Sequence, residues 1–359
     1  MKEKCKILVI NPGSTSTKLA YFEDDRCVRE ENLDLSAQEL KACTELFDQY
    51  PLRKAQVETF VKSLNMNVSD FDLIAARGGG GGNLKSGGYQ INQALVDHCH
   101  SYETPHASSL AACIAYEYSQ RYGIPSYIYD GEGVNEFSEY AVLSGWKEFP
   151  IHPGGHILNS KAAARRFAES RGKAYEDLNL VVCHMGGGCN TTAHDHGKII
   201  DSTSDAFGPE RAGSMPMLGM IAFIRGCFSG KYSCNDVIRM CMGGGGLVGY
   251  LGTSDVREVE RRIEAGDETA ETILDGMIYG LCKDISAMAS ALRFDIDGIV
   301  LTGGLAHSEK VVGGIRSVVE KIAPVIVYPG SLEMEALAKG ARRCFLGQEQ
   351  AHLFGNHDN

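Results

Sequence analysis

A short strand-forming run, a turn of glycine or hydroxyl residues and a return strand occur in the same order at two distant places in this 359-residue chain. Near the start, Ile7-Leu8-Val9-Ile10 leads into Asn11-Pro12-Gly13-Ser14-Thr15-Ser16-Thr17-Lys18 and returns as Leu19-Ala20-Tyr21-Phe22-Glu23. In the middle, Leu180-Val181-Val182-Cys183-His184 leads into Met185-Gly186-Gly187-Gly188-Cys189-Asn190-Thr191-Thr192-Ala193, with a further turn at Asp195-His196-Gly197-Lys198 before Ile199-Ile200-Asp201. A third version, Gly298-Ile299-Val300-Leu301 followed by Thr302-Gly303-Gly304-Leu305-Ala306, is expected to run from a strand into a helix. Short apolar runs bounded by turn residues read as buried strands. Their recurrence in one order implies a duplicated, strand-rich α/β unit rather than one continuously wound sheet.

Apolar residues at helical spacing predict helices over 105–122, 159–170, 258–293 and 333–346. No low-complexity linker interrupts the chain, so two domains facing each other across a cleft are expected. The expected division is 1–152 plus 333–359 for the first and 153–332 for the second.

Composition narrows the function. The chain carries 35 Lys and Arg against 46 Asp and Glu, a net charge of −11 with no basic block, which argues against a nucleic-acid or anionic-membrane partner held by bulk electrostatics. The apolar run at residues 7–10 is too short for a signal segment or a membrane span, and a cytoplasmic protein is expected. Twelve cysteines are scattered without a Cys-x-x-Cys pair and read as reduced, mostly buried thiols. Asp97-His98-Cys99-His100 and His194-Asp195-His196 contain metal-ligating types, but on a strand or turn they form no zinc framework and are expected to face solvent or to pack. The Met and Cys residues of Arg239-Met240-Cys241-Met242 are expected in the core.

The 42 glycines exceed the usual ~7% share, and they sit in runs where backbone can bend tightly or approach a ligand. Gly186-Gly187-Gly188 and Gly303-Gly304 would let amide groups reach a polyanion, the latter at an expected helix N-terminus. The hairpin with Asn11, Ser14, Ser16 and Lys18 offers hydroxyls, amides and an ammonium to phosphate. It is not a Walker A loop, because the Gly-x-x-x-x-Gly-Lys-Ser/Thr pattern is absent and the segment returns as a strand. Three phosphate-compatible turns after strands suit one nucleotide bound between two domains. Arg77, ending Leu73-Ile74-Ala75-Ala76 and followed by five glycines, is well placed for an anion. Asp130 ends Ser126-Tyr127-Ile128-Tyr129 and Glu333 follows the strand 325–328, so each is placed for a metal partly hydrated.

Asn11-Pro12-Gly13-Ser14-Thr15-Ser16-Thr17-Lys18, His184-Met185-Gly186-Gly187-Gly188, Pro209-Glu210-Arg211, Gly252-Thr253-Ser254-Asp255, Leu301-Thr302-Gly303-Gly304-Leu305-Ala306 and Tyr328-Pro329-Gly330 together resemble the acetate/butyrate kinase family, closest to its butyrate kinase branch. The resemblance spans nearly the whole chain. It implies an actin-like ATPase (acetate/sugar kinase) fold with two ribonuclease-H-like domains, ATP or ADP and Mg²⁺ in the cleft, a homo-oligomer, and reversible transfer of phosphoryl between ATP and a short carboxylate, butyrate first. A kinase for another short or branched acid, or a nucleotide-binding regulator with poor turnover, is the alternative.

By the same resemblance, Arg77 and His106 would hold the carboxylate, and His156 and Arg211 would stabilise the transferred phosphoryl. Asp130 and Glu333 would take the metal, with Asp130 also in the catalytic set. Asn11, Ser14, Ser16, Lys18, His184, Gly186, Gly187, Gly188, Gly303 and Gly304 would line the phosphates, and Asp255 and Arg257 the adenosine. Because a carboxylate is already ionised at neutral pH, cationic and metal groups matter more here than a strong base.

The chain also departs from the family. Where the family reads Asp-Pro-Val-Val-Val-Asp-Glu-Met, this sequence has Asp130-Gly131-Glu132-Gly133-Val134-Asn135-Glu136-Phe137. Pro153-Gly154-Gly155 replaces a bulkier run before His156, Ser204-Asp205-Ala206-Phe207-Gly208 is a shortened loop, and Leu332 replaces an Asn. These changes are expected to bear on substrate choice.

Overall fold

The computed structural model describes residues 4–78, 83–102, 106–143, 151, 154–203 and 220–355. The chain divides into two compact units, one of residues 1–135, 157–159 and 332–359 and one of residues 136–156 and 160–331.

The first unit is built on strands β1 (Lys6–Pro12), β2 (Ser16–Glu23), β3 (Arg26–Asp34), β4 (Leu73–Ala76), β5 (Gly88–Gln90) and β6 (Ser126–Tyr129), with the short terminal β12 (His352–Leu353). They form one sheet in the order β12-β5-β6-β4-β1-β2-β3. β1 is central: Ile7, Leu8, Val9 and Ile10 are fully buried, as a strand covered on both faces requires. β3 lies at the edge and is mostly exposed, its charged residues blunting that edge. The helices are α1 (Ala37–Ala42), α2 (Tyr50–Ser63), α3 (Gln93–Ser101), α4 (Ser109–Tyr122) and α12 (Glu333–Phe345). α12 packs on β1, β4 and β6 through Met334, Leu337, Ala338 and Ala341. Gly340 makes that approach possible, because a Cβ there would lie 2.3 Å from the Tyr129 ring.

The second unit carries β7 (Asn179–Met185), β8 (Cys189–Asp195), β9 (Lys198–Ser202), β10 (Gly298–Gly303) and β11 (Val325–Pro329), in the order β11-β10-β7-β8-β9. Its helices are α5 (Ile157–Arg171), whose first turn is grouped with the first unit, α6 (Met220–Cys227), α7 (Cys234–Met242), α8 (Gly246–Leu251), α9 (Val256–Glu264), α10 (Glu268–Ala291) and α11 (Glu309–Val319).

The duplication is visible in the pairing. In the first unit β1 pairs antiparallel with β2 and parallel with β4, and β4 continues in parallel to β6. In the second, β7 pairs antiparallel with β8 and parallel with β10, and β10 in parallel with β11. The third glycine turn therefore ends a parallel strand, unlike the two hairpin turns. β10 is the counterpart of β4, so the glycine turn that closes β10 stands in one unit where the Arg77-Gly78 turn stands in the other.

Several expectations need correction. The helix over 258–293 is two helices, because Gly266 takes φ +90° and Asp267 caps α10 by accepting from the Ala270 N–H. Asp97-His98-Cys99-His100 lies on a helix, where His100 stacks on Phe47 at 4.0 Å. Six of the twelve cysteines are buried and all are free, so half rather than most are buried. Met240 and Cys241 are exposed, not core. Among the described residues no helix is long and apolar enough to cross a membrane.

His194 is fully buried on β8, its Nδ1 2.6 Å from the Tyr175 hydroxyl and its Nε2 2.7 Å from the Thr192 hydroxyl. Burial, helped by the charges of Lys161 and Arg165, pushes its pKa well below the usual histidine value. Above about pH 6.5 the folded and unfolded chains both hold it neutral; below that, the unfolded chain takes up a proton that the folded state refuses. Stability should therefore fall between pH 6.5 and 5.5 by about 1 kcal/mol from this group. Urea unfolding across that range checks it: His194→Gln should flatten the dependence, and an unchanged slope would exclude His194 as its source.

Candidate active site

In the first unit β4 is buried throughout and delivers Arg77 at its end, where the Arg77 N–H donates to the Ile10 carbonyl at 2.9 Å. Gly78 then takes φ +89°, and a Cβ there would lie 2.6 Å from Ser108 backbone. Only glycine fits that approach, which brings the start of α4, and with it His106, beside Arg77.

Four side chains meet around this point. Arg77 Nη1 lies 2.6 Å from Glu333 Oε1 and Nη2 lies 3.7 Å from Glu132 Oε1. His106 Nδ1 is 3.2 Å from the same Glu132 oxygen and 3.0 Å from the Ser108 hydroxyl. Asn11 Nδ2 donates to Glu333 Oε2 at 3.0 Å, tying the first strand to the first turn of α12, whose positive dipole end favours an acid. Burial by itself would raise the Glu132 pKa. The hydrogen bond and charge of His106, the charge of Arg77 and the Ser108 hydroxyl together outweigh it and hold that carboxyl below its usual range.

Asp130 follows β6 with φ +42°, a conformation uncommon for a residue with a side chain. It is 2% exposed, and its Oδ1 accepts from the Ser86 hydroxyl at 2.7 Å and the Gly87 N–H at 2.9 Å. Among the described residues no three His, Cys, Asp or Glu side chains gather as a ready-made cation cage.

The hairpin between β1 and β2 closes from Pro12 opposite Thr17, with the Gly13 N–H donating to the Ser16 carbonyl at 2.7 Å. Ser14 is exposed and Ser16 and Lys18 half-buried, while Asn11 is 4% exposed. Sequence reasoning missed what supports this turn. Arg53 of α2 is fully buried beneath it and donates to the Thr17 hydroxyl at 3.0 Å and to the Gly13 and Ser14 carbonyls at 2.7 and 3.2 Å. Those carbonyls are drawn inward by the guanidinium. No local pattern in α2 announces it.

In the second unit His156, at the N-cap of α5, stacks on His184 near the end of β7, with ring centroids 3.9 Å apart. The Gly186–Gly188 turn lies against both rings: a Cβ on Gly186 would be 3.1 Å from His184 Nε2, and one on Gly188 3.6 Å from His156 Nε2. Two imidazoles and a glycine turn thus share one corner. Gly155 takes φ +111° with Asn190 filling the space a Cβ would need.

Gly303 takes φ +93° and exchanges both N–H···O bonds with Gly330 at 2.9 Å. It does not open an α-helix as expected. A four-residue 3₁₀ turn, Gly304–His307, comes first and α11 starts only at Glu309, so the helix-dipole argument weakens here. Asp255 caps α9 and ion-pairs with Arg257 at 2.8 Å on the surface, and that pairing lowers the Asp255 pKa. Arg211 and Gly79 to Gly82 lie outside the described residues.

The model of the Acetokinase family matches residues 134–353. Over 355 residues the chain is 41% identical to a probable butyrate kinase of Clostridium botulinum, covering 97% of this chain and 99% of that protein. It is 38% identical over 357 residues to butyrate kinase 2 of Clostridium acetobutylicum, covering 98% and 99%. Among solved structures, Porphyromonas gingivalis acetate kinase is similar with a TM-score of 0.77 at 17% identity, over 94% of this chain and 99% of that one. A propionate kinase of Francisella tularensis gives 0.70 at 18% identity, over 94% and 98%. At such identities these likenesses show the fold, that of the actin-like ATPases.

Proposed function

The chain belongs to the acetokinase family, and from that premise we propose that it phosphorylates a short-chain carboxylate with ATP, butyrate first among the unsubstituted acids: butyrate + ATP = butyryl phosphate + ADP, in both directions. The observation that carries this reading is the match along almost the whole chain to proteins named butyrate kinase. In the forward step a carboxylate oxygen forms a bond to the γ-phosphorus as the bond to the β,γ-bridging oxygen breaks, and ADP leaves with that electron pair. No proton needs to be removed from the acceptor.

The protein's work is to hold two anions in line and to spread the charge that develops. Arg77 and His106 take the acceptor carboxylate. His156, stacked on His184, donates to the transferred phosphoryl, and Arg211 supplies a cation to it. The turns at Asn11–Lys18, Gly186–Gly188 and Gly303-Gly304 offer amides and hydroxyls to the phosphates, with Asp255 and Arg257 toward the adenosine.

Mg²⁺ suits the acids present. Asp130 and Glu333 are buried hard-oxygen donors from one unit, and this ion takes one or two carboxylates while keeping water. They would hold it, and it would screen phosphate charge. Glu333 also restrains Arg77, and Asn11 orients Glu333. The same reading extends to a cytoplasmic homo-oligomer.

The test is purified protein with Mg-ATP and hydroxylamine trapping of acyl phosphate, with acetate, propionate, butyrate, isobutyrate and valerate in parallel. Butyrate should give the highest rate among these unsubstituted acids. Bound nucleotide without acyl phosphate from any carboxylate would sink the reading.

A further inference from the structure

Glu132 lies in the middle of the proposed carboxylate site and has no part in the reaction as written above. Its Oε1 is 3.2 Å from His106 Nδ1 and 3.7 Å from Arg77 Nη2, so it faces both groups assigned to the acceptor. It is held from both sides in the chain: Gly131 would place a Cβ 3.4 Å from the Gly78 carbonyl oxygen, and the Leu84 N–H donates to the Gly133 carbonyl at 2.8 Å. The Glu132 side chain remains 34% exposed and that of His106 47%, against 16% for Arg77 and 11% for Glu333. Glu132 and His106 therefore form the open side of the cluster.

Among the described residues Arg77 is the only guanidinium paired with these acids, and it already faces two carboxylates, Glu333 and Glu132. A substrate carboxylate docked on Arg77 and His106 would lie within a few ångströms of Glu132, and a chain leaving by the open side of the cluster would pass that side chain. An unsubstituted alkyl chain would cover a carboxylate and strip it of water without offering a hydrogen bond in return, which is costly. A chain bearing a hydroxyl or an ammonium would donate to it.

Resting on the carboxylate-kinase reading, we propose that Glu132 is a specificity-determining residue, and that the preferred acceptor is a short carboxylate carrying a hydrogen-bond donor, hydroxyl or ammonium, on its second or third carbon. A site built to bond a substrate donor rejects the analogue that lacks it more strongly than an apolar pocket rejects a change of one methylene. Butyrate is then the lead among unsubstituted acids and a poorer substrate than its substituted forms. The hydroxyl and the ammonium share the donor chemistry, and the assay separates them.

The experiment measures kcat/KM by hydroxylamine trapping for butyrate, 2-hydroxybutyrate, 3-hydroxybutyrate and 3-aminobutyrate, with wild type, Glu132→Gln and Glu132→Val. The wild type should favour at least one substituted acid over butyrate by tenfold or more. Glu132→Val should remove that preference by raising butyrate use and lowering use of the substituted acid. Glu132→Gln, which keeps an acceptor oxygen but no charge, should retain hydroxy-acid use and lose amino-acid use. Butyrate used as well as every substituted acid by the wild type, or a preference that Glu132→Val leaves unchanged, overturns the inference while leaving the kinase reading intact. No acyl phosphate from any acid, with Mg-ATP still bound, overturns both.

Discussion

Arg77→Ala should lower kcat/KM for the carboxylate by 100-fold or more while leaving the affinity for Mg-ATP within a few-fold of wild type. The magnitude follows from the bonds at stake. A guanidinium holding a carboxylate makes charge-assisted hydrogen bonds worth about 1.5–3 kcal/mol each, and about 2.7 kcal/mol is already a factor of 100. The substitution also leaves Glu333 and Glu132 facing each other's charge without the cation between them. The Arg77–Glu333 pair is mostly buried, and removing one partner of such a pair costs about 3–5 kcal/mol of stability. The variant should therefore melt earlier, so nucleotide binding must be measured below its transition. Arg77→Lys separates charge from geometry: an ammonium restores attraction but cannot face two oxygens in a fixed fork, and should recover only part of the loss. Equal loss of carboxylate use and of ATP binding in Arg77→Ala would contradict its assignment to the acceptor.

The residues of that cluster show what a linear reading carries and where it stops. Strands such as Ile7–Ile10 and Leu180–Cys183 were legible because a strand buried on both faces must be a continuous apolar run, and the repeat of strand, turn and strand exposed the duplication. That β10 matches β4 was hidden, since a strand running on toward a helix does not say which strand of the other unit it repeats; only the parallel pairing of β10 with β7 and β11 decides it. The break at Gly266-Asp267 carries its own stop and cap residues, but apolar spacing runs straight through it and masks them. Arg77 and Glu333 were each singled out, yet their contact joins residues far apart in sequence and no local pattern encodes it. Glu132 had the weakest signal and the most informative place. It was part of a run that departs from the family, and its meaning came only from standing 3.2 Å from His106. Arg53 was silent for a simpler reason: an arginine on a surface-type helix carries no mark of a buried role.

Gly303→Ala should be the most damaging single-atom-group addition to the second unit, and Gly304→Ala, one residue on, should be nearly harmless. At Gly303 a Cβ would lie 2.3 Å from the Met185 carbonyl oxygen and 2.7 Å from its carbon, and backbone of a buried strand cannot step aside. The residue also takes φ +93°, outside the range comfortable for a side chain, at a cost of about 1–3 kcal/mol before any overlap is counted. Relief requires β10 to part from β7 at the end of the sheet, beside the Gly186–Gly188 turn, and the reciprocal pair of bonds to Gly330 goes with it. A loss of about 3 kcal/mol would lower the melting temperature of a unit of this size by roughly 6–12 °C. The same displacement disorders two of the three turns proposed for the phosphates, so affinity for Mg-ATP should fall at least 100-fold. At Gly304 no atom lies within 4 Å of the added methyl and φ is ordinary, so only small changes are expected. Thermal unfolding of both variants with and without Mg-ATP decides the matter: wild-type melting and nucleotide stabilisation in Gly303→Ala would mean that the close approach to Met185 has no role in shaping the nucleotide turns.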